Sequence, residues 1–421
     1  MKNLVTIILL LIFASQNSLY AQESMDLKTC FEMAQKNSPL YAQKQLQNEY
    51  SNLSNENFKK DLLPQIALQA KATWQNEVIS LPISIPNMDI PELSQDQYRL
   101  SVDVNQAIYR GGIYQKQKEM ESLDLVLEQL QIDKNLYDIK KEVKDLFFAI
   151  LLLDKQKKVV LSYGEQLDAK IKELTAYMEE GALIPSAIDG LKAEKLSVKQ
   201  RLNEMKIHRD ALLKNLEYLT LMDLQNVKEL TVAPPDISFA EPQRLEYALM
   251  TASQKKMAYA KKLLDVQKLP QVYAFASGGY GRPAYNYLSD NFDDFYMVGL
   301  QLKWNIINWN SFSNEKKKLD VNIRIVESQK EEFNQKLQML LQKIEANINS
   351  QQALLNDDDE MIHLRKNVAD NASHQLNQGV ITSAVYIGEL QKYNQSEINK
   401  EIHKIQLINS QLDYLNVLGK L

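Results

Sequence analysis

Residues 97–112 have the sequence QYRLSVDVNQAIYRGG, which is the clearest structural signal in the chain. Apolar and polar residues alternate along it, and this period of two is that of a β-strand with two different faces. A glycine pair, Gly111 and Gly112, follows the strand directly. The apolar set is Tyr98, Leu100, Val102, Val104 and Ile108, and the polar set is Gln97, Arg99, Ser101, Asp103 and Asn105.

Three more runs share this pattern: residues 65–75, residues 296–306 and, less cleanly, residues 271–281. Each run has about 10 residues, the length at which a tilted strand crosses a bilayer. We predict two β-hairpins, 65–108 and 271–307, with loops at about 78–96 and 282–294 that are longer than a hairpin needs. A sheet of a soluble protein with one wet face gives the same alternation, so that alternative stays open.

The chain is a duplication. Residues 106–112 match residues 304–310 at an offset of 198 positions, and Gly181 matches Gly379 at the same offset. Leu63-Pro64-Gln65 matches Leu269-Pro270-Gln271 at an offset of 206. Repeats of this kind indicate two copies of one structural unit.

A heptad pattern follows each predicted hairpin. In the second half every seventh residue is apolar from Leu341 to Leu376. A 3.5-residue repeat held this long predicts coiled-coil helices, and a soluble antiparallel coiled coil is the simplest alternative. The ladder of the first half is Leu136, Ile139, Val143, Leu146, Ile150, Leu153, Lys157, Val160, Gly164, Leu167, Ile171, Leu174 and Met178.

These patterns predict the following organisation. Residues 1–21 read as a secretory signal peptide, with Lys2 before an apolar core. The first repeat, 22–222, holds a helix, the hairpin 65–108, a long helix about 112–180 and a helix about 185–222. A linker at 223–241, marked by Pro234-Pro235, precedes the second repeat, 242–421. That repeat holds a helix, the hairpin 271–307, a long helix about 311–378 and a helix about 383–419.

The predicted fold class is mixed α and β, mostly α. Four strands cannot close a barrel, and an eight-stranded barrel has an interior filled by side chains. A pore therefore needs more than two chains, and a trimer with 4 strands per chain gives a membrane β-barrel of 12 strands. Aromatic residues near the strand ends are candidates for the membrane interface: Trp74, Tyr109, Trp304 and Trp309.

The order of these features resembles the TolC family of outer-membrane efflux and secretion channels, over nearly the whole chain after the signal. The residues that carry the resemblance are Ala34–Pro39, the Leu-Pro before each hairpin, residues 106–112, and Gly379-Val380-Ile381-Thr382-Ser383 before a long Gln- and Leu-rich helix. The resemblance implies a homotrimer in the outer membrane whose antiparallel coiled-coil helices form a tunnel in the periplasm.

The resemblance also implies partners and a passive function. The channel subunit would be the exit duct of a tripartite efflux or type I secretion system. Its partners would be outer-membrane lipid, a periplasmic adaptor (membrane fusion) protein and an inner-membrane pump of the RND, ABC or MFS type. The apolar residues beside the turn glycines are the adaptor-docking candidates: Gly181, Ala182, Leu183, Gly379, Val380 and Ile381.

The tunnel entrance departs from the family pattern. The family often carries acids six and nine positions after the turn glycine, where this chain has Ala187 and Gly190, and Val385 and Gly388. The nearest acids are Asp189 and Glu389. We expect a mouth closed mainly by apolar contacts, with Glu389 as the ring acid.

Other classes of function find no support in the sequence. No catalytic set is present, so we predict no enzyme, no cofactor and no metal site, and the net charge of −5 does not favour nucleic acid as a partner. The four histidines and the acidic run 357–360 read as solvated helix faces. The rival hypothesis is a periplasmic coiled-coil scaffold without a pore, which would not need four membrane-length strands.

Overall fold

The structure, a computed structural model, describes residues 24–79, 93–179, 186–224, 227, 229–237 and 241–421. The predicted signal peptide, most of the first hairpin loop and the first predicted turn, Gly181 to Leu183, lie outside these residues. The chain forms two compact units, and each is described by itself. The first contains Met1–Gln43, Ile132–Glu246 and Glu332–Leu421, and the second contains Lys44–Gln131 and Tyr247–Glu331.

Long helices dominate the described residues, and none of these helices is long and apolar enough to cross a membrane. The elements in chain order are β1 (Ser24–Asp26), α1 (Leu27–Asn37), α2 (Pro39–Lys60), β2 (Gln65–Trp74), β3 (Asp96–Tyr109), α3 (Ile113–Glu179), α4 (Ser186–Thr220), β4 (Glu229–Thr231), α5 (Leu245–Val266), β5 (Gln271–Arg282), β6 (Asp293–Lys303), α6 (Ser311–Asn377) and α7 (Ser383–Leu418).

The two halves agree in detail where a strand turns into a long helix. Both α3 and α6 have 67 residues. Two residues with left-handed backbone precede each helix: Gly111 and Gly112 have φ of +64° and +79°, and their counterparts Trp309 and Asn310 have φ of +48° and +62°. The same left-handed backbone therefore precedes both long helices, although only the first repeat has glycine at these positions.

A side-chain hydrogen bond recurs at the same junction. Gln106 Nε2 donates to the Leu62 carbonyl oxygen at 2.6 Å. At the position 198 residues later, Trp304 Nε1 donates to the Lys268 carbonyl oxygen at 3.1 Å. Each acceptor lies two residues before the Leu-Pro proline, so the same contact holds each strand pair to the helix that precedes it.

The four long strands form one antiparallel sheet in the second unit, in the order β2-β3-β5-β6. A register shift at Ala107 to Tyr109 interrupts the β3–β5 ladder. Strand β6 ends at Lys303, so the alternation that continues through Trp304 and Ile306 lies beyond the paired strand. The sheet is therefore slightly shorter on this side than the predicted hairpin 271–307.

The first unit has an apolar core around a small parallel strand pair. Strands β1 and β4 pair from Ser24 with Glu229 to Asp26 with Thr231, so the segment 223–241 contains a short strand where the sequence predicts an irregular linker. Cys30 is fully buried in this core, and burial raises the pKa of its thiol to about 12. The core includes Met25, Phe31, Val143, Phe147, Ile150, Leu213, Leu216, Leu224, Leu230, Ile405 and Leu412.

A second apolar cluster joins the coiled-coil helices of the first unit. Along α3 the buried ladder positions are Leu136, Val143 and Ile150, then Val160, Leu167 and Leu174. The buried residues are seven apart within each group, but ten residues separate Ile150 from Val160. The buried side of α3 therefore changes from one heptad position to the other around Lys157. At Gly164 an added Cβ would lie 3.3 Å from Val198 Cγ1, so the glycine permits α3 and α4 to approach closely.

Candidate functional site

The four-stranded sheet has one apolar and one polar face. Its register aligns Leu68, Val102, Gly278 and Tyr296 in one row across the strands. Apolar side chains of this face are exposed, which a soluble monomer rarely tolerates over so wide an area. The exposed set is Ile66, Leu68, Leu100, Val102, Tyr296, Val298, Leu300 and Leu302.

The predicted interface aromatics lie at the two ends of the strands and are exposed. Trp74 ends β2 and is paired with Asp96, and Tyr109 ends β3 at the opposite end of the sheet. The ten residues of β2 span about 30 Å at about 3.3 Å per residue, close to the height of an apolar bilayer band. Trp304 and Trp309 follow β6, and Trp309 is 90% exposed.

The polar face contains a compact network. Ser277 Oγ donates to Asp103 Oδ1 at 2.5 Å, and Ser101 Oγ donates to Asp103 Oδ2 at 3.2 Å. Ser101 is only 6% exposed. Farther along β3, the Arg99 guanidinium lies 4.6 Å from the ring centroid of Phe295 and 5.0 Å from that of Tyr285. Tyr285 lies in the segment after β5 and Phe295 lies on β6, so these cation–π contacts hold both rings against Arg99.

The turn between α6 and α7 is a glycine-terminated helix end. Gly379 has φ of +72°. Its amide donates to the Leu376 carbonyl at 3.0 Å, and the Val380 amide donates to the Gln375 carbonyl at 2.9 Å. These two bonds satisfy the last carbonyls of α6 in the Schellman pattern, and the positive φ explains why glycine stands there.

The two apolar residues of this turn differ in environment. Val380 is 67% exposed, whereas Ile381 is partly buried against the helical core of the first unit. Of these two residues, Val380 therefore presents the larger apolar surface to a partner. The equivalent residues of the first turn, Ala182 and Leu183, lie outside the described residues.

The entrance candidates are not equivalent to one another. Asp189 is exposed in the first turn of α4, and Val385 is exposed in the first turn of α7. Glu389 is close to two cations: its Oε1 lies 2.8 Å from Lys392 Nζ and its Oε2 lies 4.0 Å from Arg365 Nη1. Its charge is thus partly compensated within the chain, and the ring-acid role stays a prediction. Ala187 lies in the first turn of α4, and its side chain is outside the described part of the chain.

A buried lysine, which the sequence analysis missed, joins α3 to α6 near this turn. Lys170 is 3% exposed, and its Nζ donates to Ser373 Oγ and to Asn377 Oδ1, both at 2.6 Å. Glu173 Oε2 lies 3.0 Å from the same ammonium. Burial would raise the pKa of Glu173, but hydrogen bonds from Lys170 and Asn377 outweigh it and hold the pKa below its ordinary range.

The acidic run 357–360 is not simply a solvated face. Asp358 is buried, and its Oδ2 lies 2.8 Å from His403 Nδ1 on α7. Asp359 forms an ion pair with Lys400 on the same helix. Two of the four acids therefore tie α6 to α7, and His403 is largely covered instead of lying on the surface as predicted. Among the residues that the structure describes, no group of His, Cys, Asp and Glu could hold a metal ion.

The chain is similar to known proteins in structure but not in sequence. No known protein family matches the sequence, and no curated protein is similar to it at the sequence level. Solved structures do match. The outer membrane protein VceC from Vibrio cholerae has a TM-score of 0.65 and 12% identity, covering 93% of this chain and 96% of that one.

Two further solved structures agree. The Campylobacter jejuni CmeC outer membrane channel has a TM-score of 0.65 and 13% identity, covering 94% of this chain and 85% of that one. CusC, whose structures concern folding and transmembrane channel formation, has a TM-score of 0.71 and 9% identity, covering 96% and 94%. The chain therefore has the fold of the TolC-type outer-membrane channels, and the predicted mostly helical fold class is confirmed.

Proposed function

We propose that this chain is one subunit of a trimeric outer-membrane channel, the exit duct of a tripartite efflux or type I secretion system. The observation that carries the proposal is the two-faced sheet. Its apolar face is exposed on β2, β3 and β6, while its other face presents Lys71, Arg99 and Asp103. Lipid on one side and water on the other accounts for both faces.

The sheet also explains why several copies are needed. Its order leaves β2 and β6 each with one unpaired edge within the chain. Open strand edges are costly and prone to pair with other chains. Pairing β2 of one copy with β6 of the next closes twelve strands from three copies. Transport through such a duct is passive, and the energy comes from a pump in the inner membrane.

The turn at Gly379 is the proposed contact for a periplasmic adaptor. Val380 is the exposed apolar residue there, and a matching role is proposed for Leu183 at the first turn. The helical part would then lie in the periplasm and the sheet in the outer membrane.

Membrane fractionation separates this proposal from the rival scaffold. The channel should stay with the outer-membrane fraction after a high-salt wash, because apolar burial is not screened by salt. A scaffold held by surface charge should be released. Recovery of most of the folded protein in the salt-washed soluble fraction would overturn the proposed function.

A further inference from the structure

Two cations face each other on the polar side of the sheet. Lys71 and Arg99 are direct partners in the β2–β3 register. Directly opposed residues have Cβ atoms about 5 Å apart, and like charges in this position destabilise a sheet. A destabilising pair of like charges, in a sheet whose other residues fit its two faces, is typical of a functional position.

Neither cation is neutralised by a carboxylate in the described part of the chain. Asp96 is paired with Arg282 at 2.5 Å, and Asp103 accepts from Ser277 and Ser101. Asp293 is two strands away from Arg99 in the same row, about 10 Å at the usual strand spacing. The positive charge of the pair is therefore compensated only at a distance.

Within the residues that the structure describes, two aromatic rings contact the Arg99 guanidinium and its N–H groups have no hydrogen-bond partner. Phe295, which is 6% exposed, and Tyr285 contact the cation through their rings, and these rings meet edge to face at 4.9 Å. Cation–π contacts use the charge and the face of the guanidinium, not its hydrogen-bond donors. A planar guanidinium held this way is ready to bind an oxyanion through two parallel N–H bonds.

Lys71 adds a second charge of a different kind. It is exposed and its ammonium is a flexible point charge. It has no ring contact in the described residues, so its replacement leaves the Arg99 cluster intact. The pair thus combines one fixed, geometrically specific cation with one mobile cation on the same face.

Resting on the proposed function, we propose that Lys71 and Arg99 form an oxyanion site in the channel, which favours solutes that carry carboxylate or phosphate groups. The sheet places the pair near the loop end of the strands, three residues from Trp74 and Asp96. In a trimer the site occurs three times around the passage. Phosphate groups of lipids offer the same chemistry, but the apolar face, not this one, is the face proposed to contact lipid.

The test is ion selectivity in planar bilayers of a zwitterionic lipid. A KCl gradient at low ionic strength keeps screening weak, since the Debye length is about 10 Å at 0.1 M. The native channel should prefer chloride to potassium. We expect the permeability ratio to fall about fivefold in Lys71→Gln and further in the double variant with Arg99→Gln, as removal of charges lining a narrow passage predicts. Added inorganic phosphate should reduce the native chloride current and have little effect on the double variant.

Two controls separate charge from geometry. Arg99→Lys keeps the charge, so it should keep the chloride preference while weakening block by phosphate. Lys303→Gln removes a cation from the same face at the far end of β6 and should leave phosphate block unchanged.

The outcomes are distinct. A protein that inserts and never conducts contradicts the proposed function itself. A conducting channel that prefers potassium, or one whose reversal potential is the same in the native protein and Lys71→Gln, overturns the oxyanion site and leaves the channel function standing. Loss of phosphate block on addition of anionic lipid would show that lipid headgroups occupy the site. This result would also overturn the proposal.

Discussion

Replacing Val102 with arginine should prevent stable insertion of the protein in a membrane. Val102 lies in the middle of the exposed apolar face, in one row with Leu68, Gly278 and Tyr296. If this face contacts lipid, a charged side chain near the bilayer midplane costs about 2–4 kcal/mol for each chain. In a trimer the cost is incurred three times, so the variant should accumulate outside the outer-membrane fraction.

The control has to lie on the polar face without disturbing its packing. Ser101 is on that face but is nearly buried, so an arginine there would disrupt the network with Asp103. Gln69 is the better position, because it is the exposed partner of Ser101 on β2. Gln69→Arg should insert normally. The measurement is the folded fraction in lipid vesicles as denaturant is diluted, and equal insertion of the two variants would show that the assignment of the faces is wrong.

Replacing Val380 with aspartate should weaken binding of the periplasmic adaptor strongly. Val380 is the exposed apolar residue of the turn, and interface residues at the centre of a docking surface contribute most of the affinity. We expect a loss of about 30-fold, the ratio that corresponds to about 2 kcal/mol. Binding of the purified variant to its cognate adaptor is the quantity to measure.

The matched control is Val368→Asp, which places the same charge on an exposed valine of α6 away from the turn. Ile381 is unsuitable as a control because it is partly buried against the helical core. Helical circular dichroism should be native in both variants. Unchanged adaptor affinity in Val380→Asp would refute the docking role of this turn.

Elements with a regular period can be predicted from the sequence, because period and length are local properties of the chain. Strands β2 and β3 and the two 67-residue helices are of this kind. The end of β6 at Lys303 was not predictable, since alternation continues where hydrogen-bonded pairing has stopped. The three-residue strands β1 and β4 are too short to have a period at all.

Contacts between distant segments were the part that the sequence could not provide. Nothing local indicates that Asp358 meets His403, or that Lys170 is enclosed by Ser373 and Asn377.

The left-handed backbone of Trp309 could not be predicted either. Bulky residues avoid positive φ, so nothing local to Trp309 indicates it, although a glycine, Gly111, stands at the equivalent position of the first repeat. The cation pair Lys71 and Arg99 could be predicted in part. The alternation assigns both residues to the polar sides of their strands, but the register is needed to show that they are opposed.

The number of protomers in the assembled protein is the critical quantity, because four strands in one chain form a channel only when several copies close the sheet. The measurement is native mass spectrometry of the protein purified in a mild detergent, with circular dichroism recorded on the same sample. We expect a complex of three chains with a largely helical spectrum. A stable monomer or dimer with that same spectrum would contradict it.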